Sequence, residues 1–441
     1  MRVRGYNVIK APASLLTDRY ELSMLDGALA SGVIDARATF EVFTRALANG
    51  YRYGVVGGTG RLLEALSTFS FDDDTVSWLV QQEIVSPALG AYLERYRFRG
   101  DVYGYMEGDV FTSHSPILRV EGRFADIVLE TLVLSILNYD SGVATKASRI
   151  VRAAQGRRLI EMGSRRTNED AAVTAARAAY VAGFDATSNL AAGRLYGVPT
   201  AGTAAHAFIL AHRNERDAFA AQIAAQGHST TLLVDTFDTE AGVELALDVA
   251  GPDLGAIRID SGDMVDTSRR ARKLLDERGG AGVKIVLTGD LDEFAIRDLL
   301  AQDAAVDSFG VGTKLVTGYA PPGFVFKLVA IEDGAAMRAV AKRSTGKLSS
   351  GGAKDAYRLF VDGHAVTELV VPHGVDVTDG GFDRRQLSHH LVREGRILVD
   401  SSLDEARSRA SRAANELGPS AFDLTRSDPV LITELHVEDS Q

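Results

Sequence analysis

Two arginines, a histidine and four aspartates recur through the middle of this chain, mostly just after a short apolar run. Arg165 and Arg166 follow Leu159-Ile160, and Asp235 follows 231–234. Asp260 and Asp263 follow 256–259, and Asp290 follows 284–287. A guanidinium pairs in a bidentate fashion with a carboxylate or a phosphate, so Arg165 and Arg166 point to an anionic substrate. Grouped carboxylates are hard oxygen ligands. They suit magnesium held together with substrate phosphates, or the hydroxyls of a ribose. His206 can act as a base or a nucleophile, or be a buried neutral ring. Gly310-Val311-Gly312-Thr313 lets backbone N–H groups approach an oxyanion, and Thr313 adds a hydroxyl. Each feature has a plainer reading: Ser, Thr and Asp at such places cap helices, and glycines make turns.

The elements that must position these residues follow one rhythm. A short apolar strand ends in a polar tip and is followed by a helical pattern, as at 168–182, 239–249, 265–277 and 291–301. Gly183 closes the first helix. A second strand at 184–186 ends in Thr187-Ser188-Asn189, and a third, after Gly197-Val198-Pro199, ends in Gly202-Thr203 and His206. Seven strand–helix units predict a parallel sheet with right-handed crossovers. A closed or nearly closed (β/α) barrel accommodates them, TIM-like with irregularity allowed, and gathers the strand tips at one mouth. The expected barrel covers 126–339. Residues 1–125 and 340–441 then form a discontinuous α+β domain. In it, 38–46 and 53–57 read as strands, and 57–60 as a tight turn into a helix. The stretch 72–98 reads as helical with Trp78 facing inward, and 401–417 as an amphipathic helix stopped by Gly418-Pro419.

Bulk properties remove several classes of function. With 48 Lys and Arg against 59 Asp and Glu, the net charge of −11 argues against general binding of nucleic acid or anionic membrane. There is no cysteine, which excludes disulfides and thiolate metal sites. No apolar leader stands at the start, and no run approaches the roughly 18 apolar residues of a membrane span. The expected location is the cytoplasm.

As a set, several stretches resemble the nicotinate phosphoribosyltransferases, which are barrel-type (type II) phosphoribosyltransferases. They are Leu16–Leu22 (LTDRYEL), Glu161–Arg166 (EMGSRR), Thr187-Ser188-Asn189, and Gly202–His206 (GTAAH). Further on come Ile257–Asp263 (IRIDSGD), Thr288-Gly289-Asp290, Phe309–Thr313 (FGVGT), Lys342-Arg343-Ser344 and Lys347-Leu348-Ser349. The resemblance implies a step of NAD salvage: nicotinate and phosphoribosyl pyrophosphate give nicotinate mononucleotide and pyrophosphate. It implies ATP hydrolysis through a phosphorylated His206 and a role for Mg2+. Asp260 and Asp290 would hold the metal, ribose and pyrophosphate, and Arg258 and Arg165 would neutralise phosphate. Tyr20, Met162, Arg166, Ser188, Thr203 and Asp235 would complete the substrate site. Gly289, Gly310, Gly312, Thr313 and Lys342 would hold phosphate. The implied assembly is a homodimer in which Tyr20 of one subunit stacks on the pyridine in the other. Met162 departs from the family's usual aromatic at the pyridine wall. The rival substrates are nicotinamide and quinolinate. The neutral Ser188 favours nicotinate over nicotinamide, because an acid there would repel the substrate carboxylate. A non-catalytic ligand-binding homologue is the rival of another class.

Overall fold

The computed structural model describes residues 11–342, 350–375, 377, 383–400 and 402–436. Arg343, Ser344, Lys347, Leu348 and Ser349, and the expected start of the last helix at Ser401, lie outside them. The chain divides into two compact units, Met1–Gly142 with Pro321–Gln441, and Val143–Ala320.

In the first unit, strands from both ends of the chain share one antiparallel sheet. Arg37–Phe43 pairs with Leu118–Arg123 on one side and with Val325–Asp333 on the other. Phe40 and Val42 point inward with a period of two, and Phe40 stacks on Phe326 at 4.9 Å between ring centroids. A second sheet carries Lys354–Val361 against His364–Pro372. Glu41, fully buried, is neutralised by Lys354 at 2.8 Å. Arg119, also buried, reaches Asp355 at 2.8 Å, and the second oxygen of Asp355 faces His373 Nδ1 at 2.8 Å. Trp78 corrects its expectation. The stretch forms two helices, Asp73–Gln81 and Pro87–Leu93, and Trp78 is 47% exposed while Val76 and Leu79 take the inner face.

The second unit holds the parallel sheet. Its strands are β1 (Arg158–Glu161), β2 (Ala186–Thr187), β3 (Thr231–Leu233), β4 (Ala256–Ile259), β5 (Lys284–Thr288) and β6 (Ser308–Val311). The order is β2-β1-β6-β5-β4-β3, parallel throughout. Parallel neighbours cannot be joined by a tight turn, so helices fill the connections. They are α1 (Glu169–Ala182), α2 (Leu190–Tyr196), α3 (His206–Leu210), α4 (Glu215–Gln226), α5 (Thr239–Ala250), α6 (Met264–Glu277), α7 (Glu293–Ala301) and α8 (Thr313–Val316). Asn168 caps α1, and Gly183 ends it at φ 121°. Glu293, at the first turn of α7, is buried against Lys146 and Arg149. These two belong to the long helix Glu130–Ala153. Together with the turn before it, that helix is long and apolar enough by length and composition to cross a membrane. The sequence alone reads as two helical stretches here, 126–138 and 144–154, which the structure joins into one helix. Two-thirds of its most apolar window is buried in the protein, the character of a core helix.

Six strands form, where seven were expected. The stretch after Pro199 contributes one bridge, Thr200 to Thr187, because proline has no N–H to extend a ladder. Among the described residues no pairing joins β3 to β2, so the sheet is an open part-barrel. Nor is its interior filled as in a TIM barrel. Thr231, Ala256 and Ser308 are small, and beside Ile160, Val286 and 200–203 they leave a cavity of about 720 Å3.

Candidate active site

The C-terminal ends of these strands carry a connected polar network. Arg258, on β4, is its centre. It donates from Nε to Thr288 Oγ1 at 2.8 Å, from Nη1 to Thr203 Oγ1 at 2.8 Å, and from Nη2 to Asp260 Oδ1 at 2.6 Å. Register explains the first bond: Val286 pairs with Arg258, so Thr288 lies one pleat above it on the neighbouring strand. Thr288 also donates to Asp260 Oδ1. Burial works to raise the Asp260 carboxyl. The hydrogen bonds from Thr288 and Arg258, the charge of Arg258 and the nearby His206 outweigh it and hold Asp260 below its ordinary value.

Asp235 closes the network on the β3 side. Its Oδ2 accepts from the backbone N–H of Asp260 and from Ser261 Oγ, both at 2.8 Å. Its Oδ1 is buried and without a hydrogen-bond donor among the described residues. His206 opens α3 rather than ending a strand, and its Nδ1 lies 3.1 Å from Thr236 Oγ1. Asp263, expected in the carboxylate group, is instead the cap of α6, accepting from the N–H groups of Val265 and Asp266.

Asp290 stands at the end of β5 in the left-handed region, φ 47°, exposed and with no side-chain partner among the described residues. Gly289 before it is required by crowding: a Cβ there would lie 2.4 Å from the Asp260 carbonyl oxygen. Among the described residues no group of three or more His, Asp or Glu side chains is arranged to hold a metal ion. The free Asp290 carboxylate and the half-exposed Asp260 fit magnesium that keeps most of its shell from substrate phosphates and water.

At the ends of β1 and β2, Arg165 and Arg166 are exposed, and neither guanidinium meets an acid among the described residues. Ser188, at the end of the neighbouring β2, is exposed, its N–H donating to the Glu161 carbonyl at 2.8 Å. Gly310 lies inside β6, not in a loop after it. A Cβ on Gly310 would strike Thr288 and the Met162 sulfur, so Met162 packs over the inner face of the sheet. Gly312 caps α8, within 2.8 Å of the Met162 carbonyl for any added Cβ. The Thr313 hydroxyl has no partner among the described residues.

Two predicted residues belong to the first unit. Tyr20, in helix Arg19–Ser31, is 46% exposed. Partial burial, with the charge of Glu130 and a hydrogen bond to it, pushes its phenol up. Lys342 is exposed at the last described residue before 343–349. Sequence reasoning missed Thr236, Ser261 and Glu161 as members of the site. Each stands within one residue of a residue it did select, which was the available signal.

Residues 15–138 match the model of the nicotinate phosphoribosyltransferase N-terminal domain, and 157–366 match that of the nicotinate phosphoribosyltransferase family. The chain belongs to that family. Nicotinate phosphoribosyltransferases among its relatives include one of Mycobacterium tuberculosis, 50% identical over 437 residues, which cover 96% of this chain and 95% of the relative. One of Bacillus subtilis is 39% identical, covering 79% and 73%. The crystal structure of human nicotinic acid phosphoribosyltransferase superposes with a TM-score of 0.80 at 25% identity, covering 95% of this chain and 98% of that one.

Proposed function

We infer that the chain is a nicotinate phosphoribosyltransferase of NAD salvage, joining nicotinate to the phosphoribosyl group of phosphoribosyl pyrophosphate with release of pyrophosphate. The observation that carries the choice of pyridine is the pair of unpartnered guanidiniums at the end of β1 beside the neutral Ser188 at the end of β2. An anionic pyridine carboxylate finds cations there that no acid among the described residues engages.

The pyridine nitrogen forms a bond to C1′ as the bond from C1′ to the pyrophosphate oxygen breaks, through a ribosyl cation-like transition state. Nothing in the protein becomes covalently attached in that step, so positioning and electrostatics must supply the rate. Arg258, fixed at three points, presents its charge without reorganisation. Asp260 and Asp290 would hold magnesium, which neutralises pyrophosphate when bound, or the ribose hydroxyls. Thr203 and Asp235 keep Arg258 and Asp260 in place. Gly310, Gly312, Thr313 and Lys342 are proposed for the 5′-phosphate. His206, whose Nε2 has no hydrogen-bond partner among the described residues, is proposed to take the γ-phosphate of ATP.

A homodimer is the proposed assembly, supported by the half-exposed Tyr20 ring, which would stack on the pyridine in the second subunit. A cytoplasmic location is proposed with it. The deciding assay supplies phosphoribosyl pyrophosphate, Mg2+ and one pyridine at a time, with and without ATP, and follows mononucleotide and pyrophosphate. Nicotinate should be the preferred acceptor. Preference for nicotinamide, or carbon dioxide released from quinolinate, would overturn the assignment.

A further inference from the structure

Glu161 ends β1 with 1% exposure. Its Oε1 accepts from the backbone N–H of Gly163, and its Oε2 from Thr187 Oγ1 at 2.5 Å. Thr187 Oγ1 in turn accepts from the N–H of Asn189 at 3.0 Å, and Asn189 Nδ2 donates to Ser164 Oγ at 3.0 Å. The Ser188 N–H returns to the Glu161 carbonyl. The tips of β1 and β2 are thus closed into one hydrogen-bonded ring, in which the Glu161 carboxylate is the link that also holds the Gly163 turn. The fit is tight. A Cβ on Gly163 would lie 2.4 Å from Val316 and 2.9 Å from Glu161 Oε1.

No lysine or arginine among the described residues pairs with this carboxylate. Burying an uncompensated carboxylate is costly. Burial accordingly pushes the Glu161 carboxyl up, against the hydrogen bonds from Thr187 and Gly163. Packing alone is served better by an apolar or neutral side chain. What the carboxylate offers is two acceptors on a rigid fork, one for each strand tip. Ser188 follows one of these partners directly and Arg165 the other by two residues, and neither side chain makes a hydrogen bond or ion pair among the described residues.

We propose that Glu161 is a positioning residue, fixing the distance between Arg165 and Ser188 and so setting how well the site accepts the pyridine carboxylate. The proposal rests on the nicotinate reading given above. The Arg258–Asp260 network is not joined to this ring by any described side-chain bond, so recognition of the phosphoribosyl donor should be insensitive to it.

Three variants test this, with steady-state kinetics for each substrate and amide hydrogen exchange in the absence of ligands. Glu161→Ala removes both acceptors. Its KM for nicotinate should rise about tenfold or more, as small misplacements of binding groups do. Its KM for phosphoribosyl pyrophosphate should stay within about twofold. Glu161→Asp, too short to reach both tips, should behave like Ala. Glu161→Gln keeps an oxygen for Gly163 and an amide for Thr187, and should recover most of the affinity. Amides of 163–166 and 187–189 should exchange faster in Ala and Asp than in Gln. Equal losses for both substrates, an unchanged nicotinate KM in Ala, or Gln as impaired as Ala would each overturn the proposal. If Ala does not fold, the contrast between Asp and Gln decides by the same criteria. A wild-type enzyme that ignores nicotinate would sink the functional reading instead, and the exchange pattern would still decide whether Glu161 holds the two tips.

Discussion

The Nδ1 of His206 lies 3.1 Å from the Thr236 hydroxyl, and the Nε2 of the same ring meets no partner among the described residues. When Nδ1 donates to Thr236, the lone pair sits on Nε2, the nitrogen free to attack a γ-phosphate. Incubation with ATP and magnesium should place acid-labile phosphate on His206. His206→Ala should lose both the label and the stimulation by ATP. Thr236→Val should label more slowly while melting near the wild type. His212 is the control: its Nδ1 is likewise engaged, by the Phe208 carbonyl at 2.8 Å, but no described bond ties its ring to the Arg258, Asp260 and Asp235 network. Label found on His212, or surviving in His206→Ala, would show that another group is phosphorylated.

Arg165 and Asp260 should separate binding from folding. Arg165 is exposed and unpaired among the described residues, so Arg165→Ala should change stability by less than about 0.5 kcal/mol, as surface substitutions do. Its turnover should nevertheless fall on the order of 100-fold, the usual cost of removing one preorganised charge. Asp260 accepts from both Arg258 and Thr288, so Asp260→Asn should lose comparable activity and melt lower as well. Calorimetry beside kinetics checks the pair. Near-normal turnover in Arg165→Ala would remove it from the site.

Ser188 should govern the choice between acid and amide. Ser188→Asp places a charge beside Arg165 and opposite the substrate carboxylate, so kcat/KM for nicotinate should drop more than that for nicotinamide. An unchanged ratio between the two would show that selection is made elsewhere.

Asp355 predicts an acid limit to stability. Burial opposes its charge, but hydrogen bonds from Arg119 and His373 prevail and hold the carboxyl below its ordinary value. A folded value below the unfolded one means stabilisation that is present above the unfolded value, about pH 4 for aspartate, and is lost as pH falls through the folded value. Thermal melts should therefore show Asp355→Asn below the wild type at pH 7, with the gap narrowing on acidification through that window. A gap that stays constant with pH would assign the effect to packing.

The parallel sheet was legible because its strands are short apolar runs with charged ends, and its helices carry clear caps such as Asn168 and glycine stops such as Gly183. Asp260 and Asp235 stand at such charged ends, whereas Arg258 lies inside β4 and was singled out by the resemblance alone. Closure was not legible. It depended on whether 198–206 forms a strand, and Pro199 leaves that stretch one bridge. Asp263 looked the same as Asp260 in sequence, and only three dimensions separate a helix cap from a site carboxylate. Trp78 was misplaced because helical periodicity gives faces without saying which one is covered. Gly310 looked like loop chemistry, whereas its smallness admits the Met162 side chain, a contact between residues far apart in sequence.

The sheet of the first unit has a consequence for synthesis. Its strand Arg37–Phe43 needs Leu118–Arg123 on one edge and Val325–Asp333 on the other. As the chain leaves the ribosome, the first partner arrives early, while the second follows only after every strand of the parallel sheet has been made. Until then the Arg37–Phe43 edge, with Phe40 awaiting Phe326, is open to pairing with the wrong chain. A nascent chain stalled before Val325 should be the form in greatest need of a chaperone.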